Sequence, residues 1–147
     1  MHKACFAAFA LLAACTSSNS GSGGSPGPGG DPSAWSGAWN ETGTQSTTCG
    51  GASNTTQLSQ TVAIQPGSED NTIETDSDSC QLVWDLDGGT ANLASGQICT
   101  VSVDGVDVTV EWTQSTATLA SGQIAMTATG ATNNGCSFMQ QATLTKS

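Results

Sequence analysis

The chain of 147 residues has no arginine and no tyrosine, and its basic side chains are Lys3, Lys146 and the single histidine, His2. Against them stand 12 acidic residues, for a formal net charge of -10. Nucleic acid is excluded as a partner, because phosphates are held by clustered Lys and Arg. An anionic membrane surface is disfavoured for the same reason. Long-range steering instead favours a cationic partner. Beyond His2 no histidine exists, so Ser-His-Asp and Cys-His arrangements cannot be assembled in the body of the chain. Helical periodicity is missing throughout. Long apolar runs are missing too: the longest uncharged greasy stretch, Ala4–Ala14, has 11 residues, and a bilayer takes about 20.

What is present begins at the front. Met1-His2-Lys3 followed by Ala4–Ala14 has the positive n-region and apolar h-region of a secretory signal. The run ends in Leu12-Ala13-Ala14-Cys15. This tetrapeptide resembles the lipobox of bacterial lipoprotein precursors. The resemblance implies cleavage after Ala14, a diacylglycerol on the Cys15 sulfur and acylation of the new amine. Residues 1–14 are then a signal peptide. Residues 15–33 become a lipidated cysteine and a Ser/Gly/Pro-rich tether, with too little apolar content to build a core. No Asp follows Cys15, and in enteric lipoproteins Asp there signals inner-membrane retention. By the same resemblance the destination is the outer membrane or cell surface.

Residues 34–147 read as one all-β domain. Alternating apolar and polar residues recur in short runs separated by turn pairs. The clearest unit is Cys99–Trp112, where Asp104-Gly105 is a two-residue turn between Val101, Val103 and Val106, Val108, Val110, Trp112. Further strands are expected at 35–42, 57–65, 71–75, 80–86, 123–129 and 136–145. The octapeptide at 91–98, ANLASGQI, returns as ATLASGQI at 117–124, with Ser-Gly placed for a tight turn in each copy. Inward-facing Ile98 would conflict with inward-facing Val101 and Val103, which a β-bulge near Cys99 or Thr100 resolves. About eight to ten strands without a crossover helix make an antiparallel up-and-down meander. Such a meander closes into a small, fully or partly closed barrel, with a β-sandwich as the alternative.

Four cysteines remain in the domain: Cys49, Cys80, Cys99 and Cys136. An even number in an exported chain points to two disulfides with three possible pairings. In a barrel with an even strand count the end of the first strand lies beside the start of the last. That geometry favours Cys49–Cys136, leaving Cys80–Cys99. No C-x-x-C pair and no histidine supports a metal site.

The chemistry-bearing residues are few. Asp85 and Asp87 lie on one face of a strand end, but a strand entering the Gly88-Gly89 turn explains them. They also echo part of a calcium loop, without its closing glutamate. The acidic run at 68–78 reads as a solvated, edge-protecting hairpin, with loose calcium binding as the alternative. Tryptophan stands out, with Trp35, Trp39, Trp84 and Trp112 and one phenylalanine, Phe138, in the domain. Trp35, Gly37 and Trp39 are expected on one strand face, and Trp84 shares a face with Leu82 and Leu86. Gly37-Ala38-Trp39 resembles the Gly-x-Trp of the first strand of calycins, the lipocalin and avidin barrels. That resemblance implies a Trp plugging the barrel floor. Avidin-type biotin binding is not expected, for lack of tyrosine. Trp39, Trp84 and Trp112 are candidates to line a ligand cavity, with Gln60 and Gln140 as its polar handles. The Ser-Gly of residues 94–96 and 120–122 resembles a loop of bacterial inhibitors of host lysozyme, whose inserted basic residue is missing here.

The functional expectation is a lipid-anchored, non-enzymatic envelope module in structural or protein–protein interaction. The alternatives are a binder of a small apolar ligand in a Trp-lined barrel, and an inhibitor of a cationic partner enzyme. No cofactor and no metal are expected.

Overall fold

The computed structural model describes residues 30–147 except 78, 79, 95 and 104. The signal sequence, Cys15 and most of the tether therefore lie outside the described residues, as do Asp78, Ser95 and Asp104. A single turn of helix, α1 (Pro32–Trp35), precedes nine strands. They are β1 (Gly37–Cys49), β2 (Ala52–Pro66), β3 (Thr72–Ser77), β4 (Cys80–Asp87), β5 (Thr90–Leu93), β6 (Ile98–Val103), β7 (Val106–Ala120), β8 (Gln123–Thr132) and β9 (Cys136–Lys146). Every pairing is antiparallel. The sheet runs β5-β4-β3-β2-β1-β9-β8-β7-β6, and a further β5–β7 ladder closes it. The result is the expected all-β meander, an eight-strand antiparallel barrel with β6 as an extra strand.

The first copy of the octapeptide repeat does not make a hairpin. In the second copy Ser121 (φ 52°) and Gly122 (φ 75°) form the two-residue turn joining β7 to β8. In the first copy the chain bends instead, and β5 and β6 lie end to end along β7, pairing with 116–118 and 106–111 respectively. Gln97 is the cause. Its Oε1 accepts from Val83 N at 2.6 Å, and its Nε2 donates to Val83 O at 2.7 Å and Ala94 O at 2.9 Å. A side-chain amide thus stands in for a strand where β6 does not ladder with β4. Above it, the Cys80–Cys99 disulfide ties the two edges together.

The expected bulge near Cys99 or Thr100 is not there either. Ile98 faces solvent at 61% exposure, so Cys99 and Val101 turn inward on plain alternation. The register shift falls in β7, between Trp112 and Gln114. It moves the inward set from Val108, Val110 and Trp112 to Ser115 and Ala117. Without that extra residue Gln114 and Thr116 would point into the core.

The floor of the barrel is built before the first strand starts. Asp31 caps α1 by accepting from Ser33 N at 2.9 Å, and Pro32 supplies a preset φ at the first turn. Trp35 therefore sits on α1, not on the first strand as expected. Its carbonyl accepts from Trp39 Nε1 at 2.7 Å. Both indoles are at most 1% exposed. Burying each contributes about 4–6 kcal/mol as an upper figure. Lys146 donates to Ser36 O, with its Nζ 4.4 Å from the centre of the Trp39 ring. The floor plug implied by Gly37-Ala38-Trp39 is present.

Candidate functional site

An eight-strand barrel is just wide enough for its side chains to fill it or to hold one small ligand. Here the side chains leave space. Two apolar clusters occupy the interior. One surrounds the floor tryptophans with Val62, Ile64, Trp84, Ile124 and Leu144. The other gathers Val101, Val108, Val110 and Phe138 around Trp112. The Trp112 and Phe138 rings meet edge to face, 5.0 Å between centroids. Gly130 permits this, since a Cβ there would come within 2.4 Å of the Phe138 ring.

A cavity of about 350 Å³ runs between these clusters from Trp35 toward a rim of neutral polar residues, including Thr47, Asn54, Thr56, Thr132 and Asn134. The wall is low on one side. β3 ladders with β2 only through Ile64–Pro66, so Ala52–Ala63 of β2 has only β1 as ladder partner among the described residues.

One buried group breaks the apolar lining. Glu41 alternates inward from Trp39 on β1 and is 1% exposed. Gln60, its register partner on β2, donates from Nε2 to Oε2 at 2.6 Å. Gln140, reaching from β9, donates from Nε2 to Oε1 at 2.6 Å. Burial pushes the carboxyl above the usual glutamate range, and the Gln60 and Gln140 donors oppose that only in part. No cation neutralises it among the described residues. Trp112 Nε1 is also buried and has no hydrogen-bond partner.

No family model, curated protein or solved structure matches this chain. The site therefore rests on its own geometry.

Of the expected lining residues, Trp84, Trp112, Gln60 and Gln140 border the cavity. Trp39 does not: it lies beneath, and Trp35 faces the space in its place. The two glutamines share one partner, Glu41, which the sequence reading did not single out. A signal for it existed, because strict alternation from Trp39 puts position 41 inside. The other carboxylate candidates lie elsewhere. Asp85 and Asp87 are exposed on the outer face of β4. Glu74 accepts from Ser68 N at 3.2 Å and Gln81 Nε2 at 2.6 Å on the outer surface. The cysteines pair as barrel closure requires, Cys49–Cys136 at the rim and Cys80–Cys99 at the seam.

Glu41 is the single acidic side chain among the described lining residues. The arrangement offers a fixed carboxyl at the side of an apolar chamber. It offers no second carboxyl for paired acid–base hydrolysis.

Proposed function

We propose that this protein is a lipid-anchored envelope module whose barrel binds a small, largely apolar ligand. The cavity of about 350 Å³ carries the reading. It falls at the lower end of the range for small-molecule sites, which are mostly apolar with a few placed polar groups. A purely structural or protein-binding role is less well supported. The exposed large hydrophobics are Ile98, Val106 and Met139, on β6, β7 and β9, none of them register partners. Among the described residues these three, spread over separate strands, do not pair into an apolar patch of the kind that marks a protein interface.

The anchor is part of the same proposal. Acylation at Cys15 with two or more chains holds a protein stably at a membrane. The resemblance to calycins supports a binding barrel in the same sense. The reading is of a binding rather than a catalytic barrel, supported by Glu41 being the single acidic side chain among the described lining residues.

Native mass spectrometry of the detergent-extracted protein tests the reading. A co-purifying small molecule is the expected result. A bare acylated mass, together with no response of tryptophan fluorescence to apolar probes, would overturn ligand binding. For the anchor, Cys15→Ser is expected to release the chain from the membrane fraction. Continued sedimentation of that variant, with no acyl mass on the wild type, would overturn lipidation.

A further inference from the structure

The chemistry of the chamber restricts what enters it. Glu41 is the one titratable side chain among the described lining residues, since the lining cysteines are bonded in disulfides. No Lys, Arg or His borders the space among the described residues. Lys146, the one basic residue of the described region, lies at the floor against Ser36 O and the Trp39 ring. An anionic head group would meet a carboxyl here and find no positive charge. A neutral chain would gain apolar contact but would leave the buried carboxyl as it is.

The two glutamines define the remaining possibility. Each gives one N–H to a different oxygen of Glu41, both at 2.6 Å. They hold the carboxyl plane fixed from two sides. Being neutral, they supply hydrogen bonds without supplying charge. A carboxylate oxygen has more than one acceptor direction, so each keeps capacity for a further donor. A buried carboxylate without a cation is costly, and an ammonium placed beside it recovers the Coulomb term in a low-dielectric setting. The walls suit the rest of such a molecule. Trp35, Trp84 and Trp112 present indoles, which pack alkyl chains and attract cations over their faces. The net charge of -10 draws a cation toward the mouth.

We infer that the barrel is selective for an amine: a small apolar molecule carrying a cationic nitrogen, which pairs with the Glu41 carboxylate held by Gln60 and Gln140. This rests on the ligand-binding reading above and names the head group of the ligand.

Three probes of equal chain length separate the two claims. Octylamine, 1-octanol and octanoate, each below its aggregation concentration, are titrated calorimetrically into the purified full chain. At mildly alkaline pH octylamine is expected to bind at least about tenfold tighter than octanol, which is about 1.4 kcal/mol, and octanoate weakest. Glu41→Gln should bring octylamine to the level of octanol. Equal binding of all three, or an amine preference that survives Glu41→Gln, overturns the head-group inference and leaves the cavity reading standing. Failure of all three to bind overturns the cavity reading and this inference with it. If Glu41→Gln does not fold, the wild type decides through pH. Gln60 on β2 and Gln140 and Leu144 on β9 face Glu41, and none of them titrates. Lowering the pH until Glu41 protonates should then weaken octylamine about tenfold and leave octanol unchanged. Parallel pH profiles for the two probes overturn the inference.

Discussion

Gln140 Nε2 lies 2.6 Å from Glu41 Oε1, across 99 residues of sequence. With the matching bond from Gln60 it ties β2, β1 and β9 together around one buried carboxyl. The tie has a pH signature. Burial raises the Glu41 pKa in the folded state above its unfolded value. The folded chain therefore holds this proton more tightly than the unfolded chain does. The resulting stability is fully present below the unfolded pKa and is lost as pH rises through the raised folded one. Melting temperature is expected to fall over that window, starting near the ordinary glutamate range. Glu41→Gln should flatten the fall and raise the melting temperature at pH 8. Identical pH profiles for variant and wild type would show that the carboxyl is not desolvated as described.

Strand positions were legible because alternation and turn pairs are local. Val106, Val108 and Val110 announce a strand, and Asp104-Gly105 announces its turn. The barrel and its disulfide pairing follow from those strands once neighbours are taken to be consecutive. Three features depended on contacts that alternation does not encode. Trp35 reads as part of a strand from its spacing to Trp39, yet Asp31 and Pro32 cap a helical turn there. The β5–β6 break reads as a hairpin because its Ser-Gly matches a true one at Ser121-Gly122. Both copies carry the glutamine, but Gln97 bonds to Val83 on β4, a tertiary contact that the repeat does not encode. The β7 bulge lies between Trp112 and Gln114, where no glycine or proline marks it. Glu41 was hidden for another reason. A charged residue next to a turn-rich stretch reads as solvent-facing, and only the two glutamines from distant strands make its burial tolerable.

The disulfides close loops of very different length. Cys49 and Cys136 are 87 residues apart, and Cys80 and Cys99 are 19 apart. Chain entropy assigns about 4.6 kcal/mol to the first bond and about 3.3 kcal/mol to the second. Replacing Cys49 and Cys136 together by alanine should therefore cost more in denaturant midpoint than replacing Cys80 and Cys99. Peptide mapping of the unreduced protein should find these two pairs and no free thiol. Recovery of Cys49 joined to Cys80 would contradict the closure of β1 on β9.

Gln97 seals the seam with its side chain, so truncating it leaves Val83 N without its acceptor, while Val83 O keeps the Ala94 N–H at 3.0 Å. Gln97→Ala is expected to destabilise the domain by about 1–3 kcal/mol, the cost of an unsatisfied buried donor. Gln97→Glu retains an acceptor for Val83 N but loses the donor to Val83 O. It should fall between wild type and alanine only at low pH, where the carboxyl can carry a proton. Hydrogen exchange at the Val83 amide reads the seam directly. Protection there should drop in Gln97→Ala while the β1–β9 ladder stays protected. Unchanged exchange at Val83 would mean that the amide is incidental.

Two glycines test two kinds of backbone constraint. Gly105 has φ 78° in the β6–β7 turn, and a Cβ added there meets nothing within 4 Å. Its restriction is therefore conformational. Gly105→Val should cost roughly 1–3 kcal/mol, because a β-branched residue resists positive φ. Gly43 is the opposite case. No positive φ constrains it, but a Cβ there would lie 2.1 Å from Gln141 O and 2.7 Å from the Ala142 Cα. Those atoms belong to the β9 backbone and cannot swing aside. The paired strands must separate, and Glu41 and Gln140 each sit two residues along their strands from the Gly43–Ala142 pair. Gly43→Ala should therefore destabilise more than Gly105→Val, by about 3 kcal/mol or more. It should also disturb the Glu41 network, so the fall of melting temperature with pH should change in Gly43→Ala and not in Gly105→Val. Chemical denaturation of both variants at two pH values makes the comparison. A Gly43→Ala protein as stable as the wild type would show that β1 and β9 do not approach so closely at this point.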